Sequence, residues 1–163
     1  NDSGKSLSQL LAEGQIDCIA GARRPTVPHP DVVPLFADGK QVEMDYCKRT
    51  RIFPIMHLVV MRRELCERHP WIASSFYKAL VAAKNLALER MNRSSAHAYM
   101  LPWVEHDIEE INAVFGGDPY PCGVEANRPT LEALVRYLAD QHLIRKAMPI
   151  EELFVPLPGQ QGS

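Results

Sequence analysis

The 163-residue chain lacks a long hydrophobic run, a marked excess of charge of either sign and any closely spaced pair of cysteines. No stretch approaches the ~18 apolar residues that are needed to cross a bilayer, so the sequence predicts no membrane span. The net charge of −2 provides no electrostatic attraction for nucleic acid. Four scattered cysteines predict free thiols in a reducing compartment, namely Cys18, Cys47, Cys66 and Cys122.

Sequence motifs that mark several common enzyme classes are also missing. The chain has no glycine-rich phosphate loop, no H-E-x-x-H pair, no nucleophile elbow and no zinc-type spacing of Cys and His. These absences disfavour nucleotide enzymes, zinc hydrolases and lipase-like hydrolases. His97 and His106, with the acidic residues around position 107, are more typical of a solvated helix face than of a metal cluster, so we expect no metal.

Residues 52–61 are an almost unbroken apolar run with one ionisable side chain, His57, at the centre. Such a run predicts a strand buried on both faces, as in parallel sheets, and residues 16–21 predict a second strand. A buried imidazole needs a hydrogen-bond partner or a cavity. His57 is therefore either a core histidine bonded to a backbone carbonyl, or an acid or ligand donor in a cleft.

Amphipathic helices are predicted around these two strands. One follows a cap at Ser3 or Ser6, a weakly periodic one covers residues 38–48, and one is stopped by Gly116-Gly117. Two further helices, at residues 71–93 and from Asn127 onward, have apolar stripes that predict their buried faces: Ile72, Phe76, Ala79, Leu80, Ala83 and Ala87 in the first, and Leu131, Leu134, Val135 and Leu138 in the second. Two strands alone do not make a stable parallel sheet, so we expect partner strands from outside this sequence.

Three other side chains are candidates for a ligand site. Arg23 and Arg24 directly follow the predicted strand at residues 16–21, and ligands of open α/β sheets lie beyond the carboxyl ends of strands. An arginine there either grips a carboxylate through two parallel hydrogen bonds or is a solvated loop residue. Tyr120, in a proline-containing loop, either stacks on an aromatic ligand or packs the loop onto the following helix.

Several strings, in the same order, resemble the second half of the 4,5-dihydroxyphthalate decarboxylase family: GKSLSQLLAEGQIDCIAGARRP, TRIFPIMH, ERHPWIASSFYKAL, LPW, GVEANRPTLEAL and PIEELF. The resemblance covers nearly the whole chain. It implies an α/β fold, a helix-rich part of the two-lobed fold shared with type 2 periplasmic solute-binding proteins. The expected divisions are the end of one lobe at about 1–24, a crossing segment at about 25–50, the other lobe at about 51–155 and a frayed tail at 156–163.

The resemblance implies a carboxy-lyase without a cofactor, which converts 4,5-dihydroxyphthalate to 3,4-dihydroxybenzoate and CO2. His57 would donate the proton, while Arg23, Arg24 and Tyr120 would hold the aromatic carboxylate. The implied partners are this small molecule and the N-terminal lobe of the same protein, and a homo-oligomer stays open. A cytoplasmic location is expected, with the periplasm as the alternative, because a signal peptide would lie upstream of Asn1.

Two readings without catalysis compete with the decarboxylase. The first is a solute-binding protein of an ABC-type transporter for a small carboxylated aromatic or thiamine-precursor-like ligand, which would use the same cleft without turnover. The second is a relative that binds another metabolite. The chain begins at Asn1 without a methionine, which predicts a fragment or a processed product. Fold does not fix function, so the residues of the site must decide between these readings.

Overall fold

The computed structural model describes residues 4–21, 23–93 and 100–157. The chain forms two units, Asn1–Glu43 and Met44–Ser163. Within the described residues, the regular elements are six α-helices and one 3-10 turn, in this order: α1 Leu7–Ala12, α2 Gly39–Thr50, α3 Arg63–Arg68, α4 Trp71–Arg93, α5 Val104–Phe115, α6 Val124–Asp140 and the turn Ile150–Glu152.

The predicted α/β fold, with its two-lobed periplasmic-binding-protein-like architecture, is wrong for this structure. The described residues contain helices and no strand or sheet. Both predicted strands, residues 16–21 and 52–61, have neither helical nor strand structure. An apolar run becomes a strand only where a neighbouring strand pairs its backbone N–H and C=O groups, and no such neighbour lies among the described residues. The apolar composition of these runs was therefore not sufficient to predict their structure.

The first unit is organised around the short helix α1. Ser6 caps this helix as predicted: its Oγ accepts a hydrogen bond from the Gln9 N–H at 3.2 Å, while the Gln9 side chain accepts from the Ser6 N–H at 2.8 Å. This reciprocal pair satisfies two backbone donors that have no partner inside the helix. Gly14 follows α1 with a φ of 67°, in the left-handed region that glycine adopts readily. Leu10 is the buried residue of α1.

The core of the second unit lies between α6 and the turn Ile150–Glu152. Leu131, Val135 and Ile150 are its buried residues, at 5%, 8% and 4% exposure. Burying an aliphatic side chain of this size contributes about 1.5–3 kcal/mol. Four partly buried residues pack against this core: Ile55, Val124, Ile144 and Phe154. Ile55 thus attaches the segment at residues 52–61 to the core.

Two helix ends illustrate which boundary signals were reliable. α5 ends at Gly116 as predicted, with a φ of 68° that closes the helix in the left-handed region. α6 begins at Val124, earlier than the predicted start at Asn127. The Asn127 side chain instead reaches back and donates to the carbonyls of Pro121 and Gly123, at 2.6 and 2.8 Å. This contact is not a helix cap, because a capping side chain accepts from the free N–H groups of the first turn. It ties the preceding loop to the first turn of α6.

The predicted buried faces of α4 and α6 are only partly correct. On α6, Leu131 and Val135 are buried, whereas Leu134 is half exposed. On α4, Phe76 and Leu80 of the predicted stripe are 47% and 43% exposed. The half-buried positions instead include Tyr77, Val81, Lys84 and Leu88. Because α4 is apolar or small on most sides, its periodicity did not determine which side packs.

Candidate functional site

The best-defined cluster beside the predicted site residues is centred on Phe53, near the start of the segment that carries His57. The Phe53 ring meets Phe115 edge-on, with ring centroids 4.9 Å apart, and lies 5.9 Å from the tilted ring of Tyr120. The Phe53 N–H donates to Thr130 Oγ1 at 3.2 Å. We call these four residues, Phe53, Phe115, Tyr120 and Thr130, the Phe53 cluster. The cluster brings Tyr120, a predicted ligand-binding residue, against the segment that carries His57, the predicted proton donor.

The turn at the end of α2 fixes the start of that segment. The Thr50 hydroxyl donates to the Tyr46 carbonyl at 2.7 Å and accepts from the Ile52 N–H at 3.1 Å. Arg51 has a φ of 59° and its N–H donates to the Cys47 carbonyl at 2.8 Å, which closes the helix. The chain therefore leaves α2 in a defined direction, and Phe53 reaches Thr130 of α6.

A network around Lys84 holds the loop that contains Tyr120. Lys84 Nζ donates to Asp118 Oδ2 at 2.5 Å and to the Tyr120 carbonyl at 3.1 Å. Asp118 Oδ1 accepts from the Tyr120 N–H at 3.0 Å, an Asx-type turn. The Lys84 side chain is 21% exposed. Burial lowers the pKa of Lys84, but the Asp118 hydrogen bond and the electrostatic influence of Cys122 and Asp118 outweigh it, so the pKa is raised from 10.5.

His57 is exposed in the structure rather than enclosed in a core. It follows Phe53 by four residues, so the chain can separate the two by at most about 14 Å. Its neighbours Met56 and Leu58 are 66% and 59% exposed. The interpretation of His57 as a core histidine therefore fails, because its side chain is open to solvent. Its role as a proton donor stays a prediction.

The remaining predicted site residues are Tyr120, Arg23 and Arg24. Tyr120 belongs to the second unit with His57, and its side chain is 64% exposed while one side packs on Phe53. Arg23 and Arg24 are exposed residues of the first unit. Their predicted contact with a carboxylate stays a prediction.

Three residues of these contacts were not predicted from the sequence, namely Lys84, Asp118 and Thr130. A signal for Lys84 was present, since it is the single charge in the otherwise apolar or amide stretch ALVAAKNLAL. An isolated charge on such a helix commonly finds a specific partner. Asp118 before Pro119 is a recognisable turn signal. For Thr130 no local signal exists, because its partner Phe53 lies 77 residues away in the chain.

A second polar cluster surrounds Arg128 at the start of α6. Its guanidinium donates to Glu125 through two bonds of 3.0 and 2.6 Å and to Glu151 at 2.8 Å. The Glu125 and Glu151 hydrogen bonds raise the pKa of Arg128 above its ordinary range. The Arg128 hydrogen bond lowers the pKa of Glu125; a backbone hydrogen bond, then Arg128, lowers that of Glu151. A cavity of about 340 Å³ lies beside the cluster, and none of the predicted site residues line it.

The described residues contain neither a metal-binding cluster nor a helix that could cross a membrane. Within these residues, no group of three His, Cys, Asp or Glu side chains is arranged to hold a metal ion. His106 lies on the exposed side of α5, 3.9 Å from Glu109, as expected for a solvated face, whereas His97 lies outside the described residues. None of the helices in that part of the chain combines the length and apolar character needed to cross a bilayer.

The chain is similar in sequence to a curated protein of Comamonas testosteroni named 4,5-dihydroxyphthalate decarboxylase. The two are 33% identical over an aligned length of 159 residues, and the match covers 94% of this chain and 47% of that protein. This chain therefore spans about half the length of the relative it matches. No family model matches the chain. The similarity supports a relationship to that decarboxylase. The activity in the name is that of the Comamonas testosteroni protein.

Proposed function

We propose that this chain is part of a decarboxylase whose substrate is 4,5-dihydroxyphthalate or a closely similar dihydroxylated aromatic dicarboxylate. The observation that carries the proposal is the 33% identity to the Comamonas testosteroni protein along 94% of this chain. The Phe53 cluster adds support, because it combines an exposed tyrosine ring with the segment that bears His57. Since the chain covers 47% of the relative, the proposed activity is that of the full-length protein.

The substrate chemistry explains which groups such an enzyme needs. Each carboxylate of 4,5-dihydroxyphthalate lies para to a ring hydroxyl. The hydroxyl oxygen can push electron density to the ring carbon that bears the departing carboxylate, and an acid protonates that carbon. The carbon–carbon bond then breaks, CO2 leaves, and the bonding electron pair restores the aromatic ring of 3,4-dihydroxybenzoate. The protein must therefore supply one proton and hold the carboxylate that stays.

Four exposed side chains are assigned to these tasks. In the proposal His57 supplies the proton, since an imidazole exchanges protons near neutral pH. Tyr120 presents its ring to the substrate ring, supported from behind by Phe53. Arg23 and Arg24 hold the remaining carboxylate through paired hydrogen bonds. We place the reaction in the cytoplasm, because all four cysteines are free, as in proteins of reducing compartments.

The test measures CO2 and 3,4-dihydroxybenzoate formed by the full-length protein that contains this sequence. His57→Ala should lower kcat about 100-fold, the low end of general acid catalysis. His106→Ala, which changes an exposed histidine on α5, is the matched control and should retain activity. Arg23→Lys should mainly raise KM, because an ammonium group cannot reproduce the two-pronged contact.

Two results would change the proposal. Full activity of His57→Ala would remove His57 from the mechanism, whatever the role of the other residues. Tight binding of the aromatic dicarboxylate by the wild-type protein, with no CO2 released, would favour the solute-binding protein of a transporter. A disulfide at any of the four cysteines of this chain, detected in the denatured, unreduced protein, would likewise favour the periplasmic alternative.

A further inference from the structure

The backbone of Tyr120 is held at both of its hydrogen-bonding groups by one ion pair. Its carbonyl accepts from Lys84 Nζ at 3.1 Å, and its N–H donates to Asp118 Oδ1 at 3.0 Å. The other carboxylate oxygen, Asp118 Oδ2, binds Lys84 Nζ at 2.5 Å. These three contacts form a closed ring through Lys84, Asp118 and the Tyr120 backbone. Rotation of the loop about Tyr120 would break at least one of them.

The position of Lys84 on α4 suggests a reason for this arrangement. Its side chain is 21% exposed, on the half-buried side of the helix that also contains Val81 and Leu88. An apolar residue there would pack without the cost of partly desolvating an ammonium group. It would, however, remove the lysine partner of Asp118 Oδ2 and of the Tyr120 carbonyl, which would keep only the long contact from Cys122 Sγ at 4.0 Å. Lys84 therefore stabilises the conformation of the loop that contains Tyr120.

We propose that Lys84 and Asp118 are positioning residues that hold the Tyr120 ring against Phe53 in an orientation ready for a ligand. With its backbone fixed, the Tyr120 ring can turn only about its two side-chain bonds, and Phe53 limits that movement at a centroid distance of 5.9 Å. Tyr120 is 64% exposed, and its ring then has little conformational freedom left to lose on binding. The expected effect on ligand affinity rests on the proposed function, whereas the position of the Tyr120 ring does not.

The ion pair has a second effect on an anionic ligand. Asp118 lies two residues from Tyr120, so an uncompensated carboxylate there would repel an aromatic dicarboxylate. Lys84 neutralises this charge at contact distance. Loss of Lys84 should therefore weaken binding both by releasing the ring and by exposing a negative charge. Loss of the Asp118 charge should weaken binding less, because it releases the loop without adding repulsion.

The experiment follows the ring directly, in the full-length protein. Tyrosines are replaced by 3-fluorotyrosine, and the 19F resonance of Tyr120 is assigned by its loss in Tyr120→Phe. In Lys84→Met this resonance should move toward its position in the denatured protein. Lys84→Arg, which keeps a cation and donors, should stay near wild type. Lys78→Met changes an exposed lysine of the same helix and is the matched control, with no expected change.

Affinity and turnover are then measured on the same variants with 4,5-dihydroxyphthalate. Lys84→Met should raise KM about 10-fold and change kcat much less, since the ion pair acts on binding geometry and not on the proton transfer. Lys84→Arg should recover most of the affinity. If Lys84→Met does not fold, Asp118→Asn tests the inference in its place. This variant keeps an oxygen for the Tyr120 N–H and removes the charge that pairs with Lys84. The Tyr120 resonance should then shift in the same direction as in Lys84→Met, but by less.

An unchanged Tyr120 resonance in folded Lys84→Met would overturn the inference and would leave the proposed decarboxylase intact. A moved resonance with unchanged KM would show that the ion pair does not prepare the ring for a ligand, which also overturns it. A wild-type protein that fails to bind the dicarboxylate would overturn the proposed function. In that case the fluorine shift would still decide whether Lys84 positions Tyr120.

Discussion

Replacing Thr130 by valine should detach the His57 segment from α6 at one defined point. Thr130 is 9% exposed, and its Oγ1 accepts the Phe53 N–H at 3.2 Å. Thr130→Val keeps the shape of the side chain and removes the acceptor. The Phe53 amide then has no protein partner, and the segment near His57 loses its hydrogen bond to the helix.

The expected size of this effect follows from the burial of Phe53. A net hydrogen bond contributes about 0.5–1.5 kcal/mol, and a fully buried donor without a partner costs about 1–3 kcal/mol. Phe53 is half-buried, so water can partly replace the lost acceptor. We therefore expect a loss of about 1 kcal/mol in the free energy of unfolding, or roughly 2–4 °C in Tm for a chain of this size.

The control is Thr130→Ser, which keeps the hydroxyl and loses one methyl group, at a cost of about 0.8 kcal/mol. Because both variants lose similar stability, hydrogen exchange of the Phe53 amide must separate them. Its exchange rate, relative to the Val135 amide inside α6, should rise about 5-fold in Thr130→Val and stay near wild type in Thr130→Ser. Equal relative exchange in both variants would refute the hydrogen bond as the link between the segment and α6.

Other predictions follow from the core, the Arg128 cluster and the cysteines. Ile150→Ala should lower the free energy of unfolding by about 2–4 kcal/mol in urea titrations, whereas Leu143→Ala, at 67% exposure, should cost within about 0.5 kcal/mol; equal costs would contradict the assigned core. Glu125 and Glu151 have pKa values lowered from 4.5, so the stability they contribute is present above that pH and is lost as the pH falls through their lowered values. Arg128→Met should flatten this acid loss, and an unchanged slope would show that the ion pairs do not stabilise the fold. Thiol titration of the denatured, unreduced protein should count four, and any lower count would mean that disulfides have formed.

Local signals in the sequence predicted local structure well. The Ser6 cap, the left-handed residue Gly116 and the amphipathic helix through Leu131 and Val135 all depend on contacts within a few residues. Such contacts can be read from spacing and residue type. The helices were therefore found, although the start of α6 was placed too late.

Long-range features could not be derived in the same way. The run at residues 52–61 has the composition of a buried strand, but strand formation depends on a partner that composition does not specify. The Phe53–Thr130 hydrogen bond and the Lys84–Asp118 pair join residues 77 and 34 positions apart. Of the predicted site residues, Tyr120 packs on Phe53 and is hydrogen-bonded through its backbone. The roles of His57, Arg23 and Arg24 stay predictions.

The open side of the His57 segment should make the 163-residue chain, taken by itself, prone to association when it is concentrated. Four of the five side chains at residues 56–60 are apolar and at least 59% exposed, and Val60 reaches 90%. Their backbone makes no hydrogen bond with another described segment. Apolar side chains beside unpaired N–H and C=O groups favour association between molecules. Aggregation should therefore increase steeply with protein concentration and in ammonium sulfate, which strengthens apolar association. A Val60→Lys variant should aggregate less than wild type under the same conditions.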